Sequence, residues 1–230
     1  MTILHVSSHR RSGTHALIDL LRAHIDVHGV FFHLEELTED ALAQPLPLIV
    51  KSHEPFRGHK LARLKGVRPA AFLEEVERRS VYLYAHRNPY DVLKSLYYFN
   101  LAGDEPVYRI EERTPFGAFL AQTGVQDSAT GENRVTFWFR CVRAWLNDAW
   151  VVPVSFDEIM RQPIEVLARV ARTAQVPVRR AADVESTAVG PNTTAARAQA
   201  DLWTAEARAF FRAYAHTPTL RRLDYPYLLR

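Results

Sequence analysis

The chain of 230 residues contains a single cysteine, Cys141, and therefore no pair of cysteines that could form an internal disulfide bond. Long apolar runs are also missing, because the stretches 45–50 and 149–154 fall far below the roughly 18 residues that a membrane-spanning helix needs. The first residues enter a strand-like run and lack the charged and apolar regions of a secretory signal peptide. These absences exclude a disulfide-stapled scaffold and a membrane span, and we expect a cytoplasmic protein.

A large charge of one sign is missing as well. The 29 lysines and arginines are nearly balanced by 26 aspartates and glutamates, which leaves a formal net charge of +3. Because the basic residues are interleaved with acidic ones, we expect no nucleic-acid partner. Hydrophobic residues at 47% and charged residues at 24% are typical of a globular chain with a buried core.

Short apolar strands alternate with amphipathic helices along the chain. The predicted strands are 3–7, 30–32, 48–51, 81–85 and 150–155. The predicted helices are one from Thr14 onward, 69–79, 91–100 with Pro89 at its start, 116–122, 135–147, 157–174 and a final helix over 204–215. This alternation predicts an α/β fold with a mainly parallel sheet flanked by helices, in which ligands bind beyond the carboxyl ends of the strands.

A polar turn over residues 8–14 lies between the first strand and the first helix. The free backbone N–H groups and the dipole at a helix N-terminus favour an anion, so the turn is a candidate P-loop-like phosphate site. It differs from the Walker pattern because it has one glycine, Gly13, and Arg11 stands before Ser12. A basic turn that only caps the helix is the alternative interpretation.

Two further polar turns follow predicted strands. In the first, Lys51 and His53 place a cation and an imidazole just past a strand, and histidine exchanges protons near neutral pH. His53 is therefore a candidate general base, with a surface or capping histidine as the alternative. In the second, Arg87 could bind a second phosphate together with the Ser95 hydroxyl, or form a salt bridge or helix cap instead.

The three turns, taken in order, resemble the sulfotransferase family that uses 3′-phosphoadenosine 5′-phosphosulfate (PAPS). Arg-Ser-Gly-Thr at 11–14 resembles the family's 5′-phosphosulfate loop, Lys-Ser-Gly-Thr-Thr or Arg-Ser-Gly-Thr-Thr. Lys-Ser-His at 51–53 resembles the Lys-Thr-His turn that holds the catalytic base. Residues 87–98 resemble the Arg-Asn-Pro-Lys-Asp-Val-x-x-Ser-x-Tyr segment that binds the 3′-phosphate.

Two later segments extend the resemblance over roughly residues 2–175. Trp138, Val142 and Trp145 have the spacing of the family's Trp-x-x-x-Val-x-x-Trp helix. Residues 155–159 resemble Phe-Tyr-Glu-Asp-Met, in which the tyrosine lies at the adenine.

The resemblance implies a single domain over 1–230 that transfers a sulfuryl group from PAPS to a hydroxyl group of a small-molecule acceptor. The product nucleotide would be 3′-phosphoadenosine 5′-phosphate (PAP), and no metal is expected. His53 would act as the general base, while Arg11 and Lys51 stabilise the departing phosphate. Acceptor contacts are expected at about 100–134. The implied donor-binding residues are Arg10, Arg11, Ser12, Gly13, Thr14, His15, Arg87, Ser95, Phe156 and Arg197.

The chain departs from the family pattern in four places. Arg11 stands where most members have lysine, His15 replaces a threonine, and Phe156 replaces the adenine-side tyrosine. The family's glycine-rich C-terminal loop is not evident, and Arg197 is the candidate substitute for its 3′-phosphate contact.

Two other functions stay open at this point. A magnesium-dependent nucleotide phosphotransferase would need an acidic metal ligand, for which Asp157 is the candidate. A non-catalytic nucleotide-binding protein could keep the phosphate turns without turnover. The sequence identifies neither the acceptor nor the oligomeric state.

Overall fold

A computed structural model of the chain describes residues 2–29, 31–103, 109–124, 128–179 and 201–229. The chain forms two compact units, which we describe separately. The sheet unit contains Met1–Arg87 and Ala144–Val189, and the helical unit contains Asn88–Arg143 and Gly190–Arg230. In the described ranges, no helix is long and apolar enough to cross a bilayer.

The sheet unit is built on a parallel sheet with the strand order β2-β3-β1-β4-β5. Its strands are β1 (Ile3–Ser8), β2 (Phe31–His33), β3 (Leu48–Ser52), β4 (Ser80–His86) and β5 (Val151–Ser155). The predicted α/β fold with a parallel sheet is confirmed. The chain adds β2 and β3 on one side of β1 and then crosses to add β4 and β5 on the other. The carboxyl end of β1 is therefore the topological switch point, where ligands bind in open α/β sheets.

Both faces of the sheet are covered by helices. The helices of the chain are α1 (Thr14–His24), α2 (Glu39–Leu42), α3 (His59–Leu64), α4 (Ala70–Arg79), α5 (Pro89–Ala102), α6 (Phe116–Ala121), α7 (Arg134–Leu146), α8 (Phe156–Arg161), α9 (Pro163–Ala174), α10 (Ala205–Tyr214) and α11 (Thr217–Arg222). Side chains of α1 and α9 form one core with the strands, and side chains of α2, α3 and α4 form the core of the other face. All six residues of β1 are buried, as expected for a central parallel strand.

The helical unit has an aromatic core. Tyr90 of α5 stacks on Trp203 with ring centroids 3.9 Å apart, and Phe211 of α10 meets Tyr90 edge to face at 4.8 Å. Phe116 of α6 contacts the Trp203 ring at 4.9 Å. These edge-to-face and stacked pairs hold α5, α6 and α10 together.

Some predicted elements differ from the observed ones. The helix predicted over 157–174 is two helices, because Gln162 has non-helical dihedrals (φ −139°, ψ 52°) and the proline that follows disfavours the α region at that residue. The helix over 204–215 is not the final one, since α11 and a 3₁₀ turn over Pro226–Leu229 follow it. Sequence periodicity did not predict α2, α3 or the 3₁₀ turn Leu34–Glu36, which are too short to show a period. The predictions for residue 30 and for the loop 190–194 lie outside the described residues.

Candidate active site

The first turn connects β1 to α1 through two residues in the left-handed region. Arg11 has φ 66° and Gly13 has φ 100°, and the Ser12 amide donates to the His9 carbonyl at 3.2 Å. Gly13 precedes Thr14, the first residue of α1, and has no side chain to cap the helix. Successive amides in such a turn, ahead of a helix N-terminus, form a concave site for an anion.

Hydroxyl groups line the same turn. Ser8 and Thr14 are joined by a hydrogen bond between their side-chain oxygens. The Ser12 hydroxyl oxygen is buried and, among the residues that the structure describes, has no hydrogen-bond partner. A buried hydroxyl of this kind retains the capacity to bond an oxyanion held by the turn.

Phe156 closes one side of this turn. A Cβ added at Gly13 would lie 2.6 Å from the Phe156 Cδ2 atom, so the ring occupies the space beside the glycine. The Arg87 guanidinium carbon lies 4.6 Å from the centroid of the Phe156 ring and makes a cation–π contact with it. The ends of β1, β4 and β5 thus bring a phosphate turn, an aromatic ring and an arginine together.

His53 follows β3 and is bound to the end of β1. Its Nδ1 atom lies 3.1 Å from the Ser8 carbonyl oxygen and 3.4 Å from the Ser8 hydroxyl. Because a carbonyl oxygen only accepts, Nδ1 carries the proton and Nε2 of the neutral ring is left with its lone pair. Burial, followed by the positive charge of Arg10, lowers the pKa of His53 to about 3. The imidazole is therefore neutral at physiological pH, and the Nε2 lone pair can accept a proton.

Lys51 directs its ammonium group toward α1. Its Nζ donates to Nε2 of His15 at 3.0 Å and lies 5.4 Å from the Phe31 ring centroid. Burial and the Lys51 charge lower the pKa of His15, so this imidazole is held in the neutral form that can accept the bond.

The predicted site residues do not all fall in one unit. Arg10, Arg11, Ser12, Gly13, Thr14, His15, Lys51, His53, Arg87 and Phe156 belong to the sheet unit. Ser95 lies in α5, which belongs to the helical unit, and Arg197 is outside the described residues. In the part of the chain that the structure describes, no group of three or more His, Cys, Asp and Glu side chains is placed to hold a metal ion.

A buried polar cluster beneath the His53 turn was not predicted from the sequence. Nε2 of His5 lies 2.9 Å from the Ser52 hydroxyl and 3.2 Å from Oε1 of Glu54. The signal that could have indicated it is His5 itself, a polar residue between the apolar residues Leu4 and Val6 of a buried central strand.

Comparison with known proteins identifies the family. The sulfotransferase domain model matches residues 3–206. The crystal structure of mouse sulfotransferase SULT7A1 complexed with PAP is similar in fold, with a TM-score of 0.52 and 17% sequence identity over 78% of this chain. The chain spans 60% of the length of that structure. A search of curated proteins by sequence gave no significant match. Because the family model covers most of the chain, this protein belongs to the sulfotransferase domain family.

Proposed function

We propose that the chain transfers a sulfuryl group from PAPS to a hydroxyl group of a small-molecule acceptor. The observation that carries the proposal is the neutral His53 imidazole, which the Ser8 carbonyl holds with a free Nε2 atom at the end of the phosphate turn. Family membership and the PAP bound by the mouse protein support the choice of nucleotide. PAPS supplies the activated sulfuryl group. The residues of the chain bind the nucleotide, orient the acceptor and take up the acceptor's proton.

The turn over residues 9–13 fits the 5′ end of this nucleotide. The amides ahead of α1 and the unused Ser12 hydroxyl provide hydrogen-bond donors, together with the Thr14 hydroxyl. Arg10 and Arg11 add positive charge, which strengthens the bonds to an oxyanion. His15 contributes indirectly, since it accepts the bond that orients Lys51.

Arg87 fits the 3′-phosphate of the nucleotide. Its guanidinium carbon lies 4.6 Å from the Phe156 ring centroid, next to the phosphate turn, and the planar guanidinium group matches a phosphate in bidentate geometry. For Ser95 and Arg197, the assignment to this phosphate rests on the sequence resemblance alone. Phe156 would provide an aromatic surface for the adenine.

The chemistry assigned to the chain is a proton transfer and a charge stabilisation. His53 would take the acceptor's proton on Nε2, because Nδ1 is already protonated and bound to Ser8. Arg11 and Lys51 would stabilise the negative charge that grows on the phosphate as it leaves. An arginine in this role acts through its charge, since it is a poor proton donor.

Transfer of labelled sulfur tests the proposal. PAPS labelled in its sulfuryl group would be incubated with the protein and with phenols, aliphatic alcohols, sugars and lipid hydroxyl compounds in the presence of EDTA. We expect label in the product of at least one hydroxyl class. A protein that binds PAP but labels no member of these classes would overturn the proposed transfer.

Replacing Arg87 with alanine should weaken PAP binding by about tenfold to a hundredfold. A charge-assisted bond to phosphate contributes about 1.5–3 kcal/mol, which corresponds to that range. A nucleotide that lacks the 3′-phosphate should bind the variant and the native protein equally. The measurement is calorimetric titration with both nucleotides. The control is Arg161→Ala, which removes an exposed arginine at the end of α8. Equal losses for both nucleotides would show that Arg87 is structural.

Replacing Gly13 with alanine should damage both the turn and its ligand site. The new Cβ would meet Phe156 at 2.6 Å, and φ 100° is unfavourable for alanine. We expect the free energy of unfolding to fall by about 1–3 kcal/mol from backbone strain and PAP affinity to fall with it. Denaturant unfolding and calorimetry measure the two effects. Gly117→Ala in α6 is the matched control, because among the described residues nothing lies within 4 Å of its Cβ position. An unaltered Gly13→Ala protein would contradict the described turn.

A further inference from the structure

His5 lies in the centre of the sheet unit and is fully buried. Its ring contacts the ring of Tyr82 of β4 in a tilted arrangement, with centroids 4.8 Å apart. Its Nε2 atom reaches the Ser52 hydroxyl at 2.9 Å and Oε1 of Glu54 at 3.2 Å. A single side chain of β1 therefore contacts the residues on both sides of His53.

Glu54 is a buried residue of the His53 turn that contacts β1, α3 and α7. Besides its contact with His5, Oε2 accepts from the Lys60 amide in α3 at 2.8 Å. Its backbone carbonyl accepts from the Trp145 indole N–H at 2.8 Å. Burial alone would raise the pKa of Glu54, but the bonds from His5 and from the Lys60 amide lower it below its usual value. The carboxylate is therefore ionised, with Oε2 bonded to the Lys60 amide and Oε1 3.2 Å from the His5 Nε2 atom.

These contacts fix the turn at three successive residues of the chain. Ser52 is hydrogen-bonded to His5, Glu54 lies 3.2 Å from the same His5 nitrogen, and His53 between them is bound to the Ser8 carbonyl. His5 and Ser8 both belong to β1, so one strand holds the whole turn. Loss of the His5 contacts would free Ser52 and Glu54 and allow the His53 ring to leave the Ser8 carbonyl.

We propose that His5 and Glu54 form a positioning pair that keeps His53 in the Nδ1–H form with Nε2 available to the acceptor. This inference rests on the proposed function, in which His53 is the general base. Neither residue contacts the reacting atoms in this account, and both act through the geometry of the turn. An apolar pair would suffice for packing, because two buried polar partners replaced together by hydrophobic residues of similar shape often cost little stability.

The double variant His5→Leu, Glu54→Leu separates positioning from packing. It removes the Glu54 carboxylate together with the imidazole beside it, whereas His5→Leu alone would leave the buried carboxylate without that partner. We expect the double variant to fold and to bind PAP as the native protein does, while kcat falls by about tenfold to a hundredfold, the cost of a misplacement near 1 Å. Tyr82→Phe is the matched control, because it keeps the ring against His5. It removes a hydroxyl that is bonded to Glu77 and not to the turn of His53. Its kcat should be unchanged.

The tautomer of His53 gives a second readout that does not depend on turnover. In protein labelled with ¹⁵N-histidine, the ring signals of His53, assigned by their loss in His53→Gln, should show Nδ1–H in the native protein and in Tyr82→Phe. The double variant should show a mixture with Nε2–H. A native kcat and an unmixed Nδ1–H form in the folded double variant would overturn the positioning role. A loss of folding and PAP binding together with kcat would assign the pair to structure alone and overturn it equally. If the native protein transfers no sulfuryl group, the proposed function fails, and the tautomer comparison still decides whether the pair controls His53.

Discussion

Replacement of His53 with alanine should lower kcat by about 10²–10⁴-fold, the usual contribution of a general base. Affinity for PAP should stay as in the native protein, because the ring is bound to the Ser8 carbonyl and its free Nε2 atom is reserved for the acceptor. Rates on phenols should fall less than rates on aliphatic alcohols, since a phenol with a pKa of about 10 loses its proton more readily. Steady-state kinetics with both acceptor types, combined with PAP titration, measure the separation.

A matched control is His59→Ala in α3, a half-buried histidine whose ring packs on Phe56. This control should keep its turnover. Normal turnover by His53→Ala with its true acceptor would transfer the role of base to another residue. A parallel loss of PAP binding would show that His53 supports the phosphate turn instead.

The pH dependence of kcat/KM provides a further check on His53. A general base acts in its deprotonated form, and kcat/KM reports the pKa of the base in the free enzyme. Burial and the Arg10 charge hold that pKa at about 3, below the ordinary histidine value of 6.5. As the pH falls, the base therefore stays active through the region in which an ordinary histidine would become protonated. An acid limb centred near pH 6.5 that disappears in His53→Ala would contradict the described environment.

Arg11→Ala should lower kcat by about a hundredfold or more, whereas PAP affinity should change less. The charge that Arg11 stabilises grows only as the bond to the departing phosphate breaks, so its contribution is larger in the transition state than in the bound ground state. Arg11→Lys should retain much of the activity because it keeps the positive charge. The kinetic constants of the two variants measure the difference.

The lysine variant also controls for the backbone of the turn. Arg11 has φ 66°, a left-handed conformation that alanine and lysine adopt with similar strain. A loss of activity shared by both variants would therefore point to the backbone or to the bidentate geometry of arginine. An unchanged kcat in Arg11→Ala would remove Arg11 from the mechanism.

The alternation of strands with helices and the three polar turns could be predicted because each is local in sequence. An apolar run followed by a basic or histidine-containing turn appears at Ser8, Lys51 and Arg87, and parallel strands bring their carboxyl ends to one edge of the sheet. The sequence pattern therefore anticipated that the turn before Thr14 and the turn of His53 lie at the same edge of the sheet, where His53 contacts Ser8.

The contacts that refine this site depend on tertiary structure. The His5 contact with Glu54 joins β1 to the turn after β3, and the Phe156 ring at the start of α8 contacts Gly13. No spacing along the chain encodes either pair, since each arises from the register of neighbouring parallel strands and the start of α8. The tautomer of His53 likewise follows from its contact with the Ser8 carbonyl oxygen, a backbone atom whose position sequence patterns do not reveal.

The central claim is that these strand-end turns bind the sulfotransferase nucleotide. Its most direct test is a calorimetric titration of the native protein with PAP in the presence of EDTA. Contacts to the 5′- and 3′-phosphates of the nucleotide predict saturable binding that magnesium does not strengthen. A nucleotide without the 3′-phosphate should bind about tenfold to a hundredfold more weakly. Absence of binding to PAP, or binding of ATP that requires magnesium, would contradict the account.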